Sequence, residues 1–136
     1  MKIYIASSWK NVHAVEMLTV LLRDRGHEVI SFVENNYGEV AAKVSIVFEE
    51  WILTPKADSS FKYDSEGAMY SDLVIYLSPS GKDAAAECGM SYAKGIPILG
   101  LHAKGEDFGL MRKMINWFDN YIDLLVYVTD FNSKLH

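Results

Sequence analysis

Two carboxylates four residues apart, Asp83 and Glu87, follow the turn Ser78-Pro79-Ser80-Gly81 and mark where this chain could build a reactive site. On a helix that spacing projects both from one face. A carboxylate held in a crevice can attack an electrophilic carbon or orient a hydroxyl. Ser7 and Ser8, after the first apolar run, offer two hydroxyls. With the free N–H groups of a helix start, where partial positive charge gathers, they could bind a sugar hydroxyl or a phosphate.

Several other chemistries are excluded by residue type. Gly81-Lys82 resembles a phosphate loop, but Ile75 stands where its first glycine belongs and Asp83 replaces the required Ser or Thr. There is no G-x-S-x-G elbow. His13, His27, His102 and His136 show no spacing with Cys or carboxylates that would hold a metal, so no metal or cofactor is expected. Lys104 to Arg112 reads as a loop, either carrying a Glu106–Arg112 ion pair or closing over the crevice. Trp51, Met111, Met114 and Trp117 read as core or dimer contacts.

The elements that must position these groups alternate between strand and helix patterns, the grammar of an α/β domain. Lys2–Ala6 reads as a strand, Ser8 as an N-cap, and Val12, Val15, Thr19 and Leu22 as one face of a helix ending near Arg25-Gly26. A second strand is expected over Glu28–Val33 and a helix over Tyr37–Leu53, stopped by Pro55. A weaker helix over Phe61–Ser71 precedes Asp72, which ends or caps its neighbours, and the apolar strand Leu73–Leu77. The helix Lys82–Lys94 and strand Ile96–Leu101 follow, then a loop with a short helix over Glu106–Trp117 and a fifth strand over Leu124–Val128. Ala84, Ala85, Ala86 and Gly89 around Glu87 allow this helix to pack closely on the sheet. Right-handed crossovers then favour a doubly wound, five-stranded parallel sheet of flavodoxin or Rossmann type, order 2-1-3-4-5. Its crevice opens between strands one and three, where Ser7-Ser8 enters from one side and Ser78 to Glu87 from the other.

A chain of 136 residues, 50% hydrophobic, fits one compact domain over residues 1–136. The lone Cys88 rules out a disulfide framework and suits a reducing compartment. No run is long enough to span a membrane and no signal-peptide pattern opens the sequence, so a cytoplasmic protein is expected. A net charge of −5 argues against nucleic acid and for a small-molecule partner.

Tyr4-Ile5-Ala6-Ser7, Asp64, Asp72-Leu-Val-Ile, Ser80 to Gly89 and Gly95-Ile96-Pro97-Ile98 together resemble the nucleoside 2-deoxyribosyltransferase-like superfamily. The resemblance spans most of the chain, and Ser80 to Gly89 is its specific part. It implies cleavage or transfer of the N-glycosidic bond of a nucleoside or nucleotide, with no cofactor. Glu87, in Glu87-Cys88-Gly89, matches the family's nucleophile. The resemblance also implies Asp64 as general acid and Tyr4 as a hydrogen-bond partner of Glu87. Asp83 would orient the sugar or raise the pKa of Glu87 by repulsion. Gly81 departs from the family, since the transferases carry aspartate and the nucleotide hydrolases serine at that place; Ser80 is the nearest serine, displaced by one. The family completes its sites across a two-fold interface, and the apolar face of Tyr37–Leu53 fits a homodimer or higher. Two other functions share this pattern: a non-catalytic nucleotide-binding module, and an NAD glycohydrolase of the TIR type.

Overall fold

A computed structural model describes residues 1–35, 47–106 and 109–135. Its sheet has five parallel strands in the order β2-β1-β3-β4-β5. They are β1 (Lys2–Ala6), β2 (Glu28–Ser31), β3 (Leu73–Leu77), β4 (Ile98–Leu101) and β5 (Asn116–Phe118). The helices are α1 (Val12–Asp24), α2 (Phe32–Asn35), α3 (Phe48–Trp51), α4 (Pro55–Tyr70), α5 (Lys82–Ala93) and α6 (Tyr121–Leu135). The expected fold class and strand order are both present.

Residues alternate across each strand, so the sheet separates two cores. On one face Ile3, Ile5, Leu73, Ile75 and Leu99 pack with Val15, Leu18 and Leu22 of α1 and Leu124, Leu125 and Val128 of α6. On the other, Tyr4, Ala6, Val74 and Tyr76 meet Ala68 of α4 and Ala84 and Cys88 of α5. The central strand β3 is buried along its whole length, which its unbroken apolar run requires. Asp72 stitches β1 to β3, its Oδ2 accepting from the Lys2 N–H at 2.8 Å.

Four expected elements change. The fifth strand is Asn116–Phe118, and Leu124–Val128 belongs to α6. Its Leu-Leu-Val-Tyr-Val run has strand propensity, but Leu124, Leu125 and Val128 share one helical face. Asn120 starts that helix, its Oδ1 accepting from the Asp123 N–H at 2.9 Å. Strand β2 is two residues shorter than expected, because Phe32 and Val33 turn into α2. Pro55 opens a helix, so the one expected from Phe61 starts at Pro55: Thr54 caps α4 by accepting from the Ala57 N–H at 3.2 Å, with Pro55 in the first turn, and the preceding helix already stops at Trp51. The helix expected over Tyr37–Leu53 falls largely outside the described residues, and α3 is its described part. Strand β4 begins two residues later than expected, after Pro97.

Candidate active site

The loops after β1, β2 and β3 leave the sheet at one edge, and a cavity of about 470 Å³ lies there. Ser7, Ser8 and Trp9 line it from the β1 side, Phe32 from the end of β2, and Gly81 to Ala84 with Glu87 from α5. Ser60 and Asp64 of α4 and Phe48 and Trp51 of α3 complete the wall. This is the crevice at the switch point between β1 and β3 that the strand order implies.

Two of the cavity's lining residues, Glu87 and Asp64, converge from distant parts of the chain on the buried Tyr4. The buried Tyr4 hydroxyl, pointing from β1, donates a hydrogen bond to Oε1 of Glu87. Glu87, itself buried, has its carboxyl pushed up to about 8, first by burial and then by the charges of Asp64 and Asp83; the Tyr4 hydrogen bond works in the opposite sense. Asp64 is pushed up to about 6 by burial and by Asp83, while the Tyr4 hydroxyl lowers it. The Oδ1 atom of Asp64 is buried without a hydrogen-bond partner among the described residues, while the residue itself lines the cavity. Burial and the Glu87 charge push the Tyr4 phenol upward, so at neutral pH Tyr4 remains a donor. The cavity therefore holds two carboxyls whose protons are lost in coupled steps.

Asp83 lines the same cavity but is exposed in the first turn of α5, where the helix dipole favours its charge. No side chain caps that helix, whose N-cap is Gly81. A β-carbon at Gly81 would meet nothing within 4 Å, so the place held by aspartate or serine in the resembling families is open space here. Gly89 likewise faces open space; the close approach of α5 to the sheet rests on Ala84 and Cys88 instead.

The serines divide. Ser7 and Ser8 line the cavity, yet both hydroxyls are engaged. Ser7 Oγ donates to the Leu77 carbonyl at 2.9 Å and accepts from Asn11 Nδ2 at 2.9 Å. Ser8 Oγ caps the short turn Trp9–Asn11 by accepting from the Lys10 N–H at 3.0 Å. Ser78 and Ser80 do not line the cavity, and Ser80 Oγ donates to the Tyr76 hydroxyl at 2.8 Å. Glu106 pairs with Tyr76 and Ser80 rather than with Arg112, which lies over the Trp117 ring at 5.4 Å. Trp51, expected as core or dimer contact, lines the cavity. Trp9, Phe32, Phe48 and Ser60 were not marked by any motif; only the adjacency of Trp9 to Ser7-Ser8 could have drawn attention to it. Among the described residues no cluster of three His, Cys, Asp or Glu is arranged to hold a metal ion, and no helix is long and apolar enough to cross a membrane.

No protein-family model and no curated protein matches the chain. Solved structures do. A 2-deoxyribosyltransferase from Bacillus psychrosaccharolyticus shares 27% identity, covers 91% of this chain and 90% of its own, and superposes with a TM-score of 0.67. A CMP N-glycosidase from Clostridium botulinum shares 19% identity over 95% of this chain and 99% of its own, TM-score 0.61. A conserved protein from Enterococcus faecalis shares 21% identity over 83% and 70%, TM-score 0.53. With the motif residues quoted above, these neighbours bear out the resemblance to the nucleoside 2-deoxyribosyltransferase-like superfamily.

Proposed function

We propose that this protein cleaves the N-glycosidic bond of a nucleoside or nucleotide, with Glu87 as nucleophile and Asp64 as acid and base. The observation that carries the reading is the buried Tyr4–Glu87 hydrogen bond beside a cavity that Glu87 and Asp64 both line. An ionised Glu87 oxygen attacks C1′, and the C1′–N pair leaves with the base as protonated Asp64 delivers its proton to the departing nitrogen. The sugar is then held as an ester of Glu87. Water attacks C1′, Asp64 takes its proton, and Glu87 departs as carboxylate. Tyr4 keeps the carboxylate oriented and favours its ionised form.

Hydrolysis rather than base exchange is supported by Gly81, where the absent side chain leaves room for water beside the sugar. The exposed Val47, Phe48, Ile52 and Leu53 at the α3 side of the cavity supply an apolar surface for a second copy of the chain. Light scattering at micromolar concentration should give at least a dimer mass; a clean monomer would remove that part.

The test is chromatography of products from deoxynucleosides, nucleoside monophosphates and NAD incubated with the protein. Free base without capture by added adenine or cytosine is expected. A slow fluorinated substrate should leave a sugar adduct on Glu87 by mass spectrometry. No turnover of any substrate, with binding retained, would instead mark a nucleotide-binding module.

A further inference from the structure

Ser80 leads into the N-terminus of α5, and on the side away from the cavity it is gripped by two groups. Tyr76 of β3 has its ring fully buried, edge-on to Trp117 of β5 with centroids 5.8 Å apart. Its hydroxyl accepts from Ser80 Oγ at 2.8 Å and donates to Glu106 Oε1 at 3.0 Å. The same Glu106 oxygen accepts from the Ser80 N–H at 3.3 Å. One carboxylate oxygen thus ties the loop both by its backbone and, through the tyrosine, by its side chain. From the opposite flank, Asn11 Nδ2 donates to the Pro79 carbonyl.

We propose that Glu106, acting through Tyr76 and Ser80, is a positioning residue that sets where α5 begins and hence how Asp83 and Glu87 face the cavity. Gly81 is the N-cap of α5, and its carbonyl accepts from the Ala85 N–H at 3.4 Å. A shift of Ser80 is therefore carried directly into the first turn. Gly81 has no side chain to hold itself in place and caps nothing with one, so the restraint must come from its neighbour. Glu106 does not line the cavity. Its influence on the reaction is geometric, and small misplacements of reacting groups are costly. The catalytic part of this inference rests on the function proposed above; the structural part does not.

Amide hydrogen exchange of the intact protein separates the two. In Glu106→Ala the Ser80 amide, whose hydrogen bond Glu106 accepts, and the Ala85 amide, which closes the first turn of α5, should exchange about tenfold or more faster, with β1 and β3 unchanged. Glu106→Gln keeps an oxygen able to accept both hydrogen bonds and should retain most of the protection. Turnover in Glu106→Ala should fall about tenfold in kcat with a smaller change in KM, restored by Glu106→Gln. Unchanged exchange at Ala85, or equal loosening of the central strands, would overturn the positioning role. So would a Gln variant as loose as the Ala variant. Were the wild type inactive on every glycoside, the functional reading would fail while the exchange result still decided this one.

Discussion

Gly67 of α4 lies against the ring of Tyr4. A β-carbon there would come within 2.7 Å of Cε1 and closer still to Cδ1. This missing methyl group lets α4 close onto β1, and Asp64 stands one helical turn earlier on that helix. The proximity of Asp64 to the Tyr4–Glu87 pair therefore depends on a residue that takes no part in the chemistry.

Gly67→Ala should accordingly destabilise the protein although alanine is the better helix former. Overpacking costs about 1–3 kcal/mol, against a propensity gain of roughly 1 kcal/mol. Denaturant titration should show a net loss, and activity should fall further than stability because Asp64 is displaced. A more stable Ala variant would contradict the packing.

Replacing Glu87 by Gln separates chemistry from folding. Turnover should drop by several orders of magnitude, since the attacking oxygen is gone, while at acidic pH the melting temperature stays close to wild type. In the unfolded chain Glu87 loses its proton near 4.5, but in the fold it holds it to about 8. Between those values the unfolded state binds fewer protons, so this group's contribution to stability is complete below about 4.5 and is lost as pH rises to about 8. The loss is on the order of a few kcal/mol. Thermal melts from pH 4 to 9 should show wild-type stability declining more steeply than that of Glu87→Gln.

The pH dependence of kcat/KM should be bell-shaped, with limbs set by the Asp64–Glu87 pair as a unit and lying near 6 and 8. On the proposed mechanism the active form carries one proton, on Asp64 rather than Glu87. This is the minor arrangement of the singly protonated pair, because Glu87 holds its proton to higher pH than Asp64. In Asp64→Asn the neighbouring charge that raises Glu87 disappears, so residual activity should rise with pH at a lower midpoint and show no alkaline fall. An unchanged bell in that variant would remove Asp64 from the mechanism.

Asp83→Asn should retain measurable activity. Its charge raises both Asp64 and Glu87, so both limbs of the profile should move to lower pH. An inactive Asp83→Asn protein with wild-type melting behaviour would make Asp83, rather than Asp64, the acid.

The sheet and its order were legible because the strands in its centre are unbroken apolar runs ending at turn residues, and the crossover rule leaves few ways to arrange them. The last element was not. Leu124 to Val128 is too short for periodicity to separate strand from helix, and only the shared face of Leu124, Leu125 and Val128 resolves it. At the site, the Asp83 and Glu87 spacing could be read locally. The approach of Asp64 could not, because it depends on Gly67 meeting Tyr4, a contact between residues far apart in the chain. The surroundings of Ser80 were hidden for a related reason: one of its partners, Glu106, comes from beyond β4 and is brought to it only by the fold.

The alternation along β1 has a practical consequence. Tyr4 points toward Glu87, whereas Ile3 and Ile5 on either side of it point into the layer of α1 and α6. The sheet is a partition, with the carboxyls on one side and a largely aliphatic store of stability on the other. Anyone wishing to harden this protein against heat can redesign that layer, Phe32 of the cavity wall excepted, away from Glu87 and Asp64. The layer of α4 and α5 offers less freedom, since those two helices carry Asp64, Asp83 and Glu87.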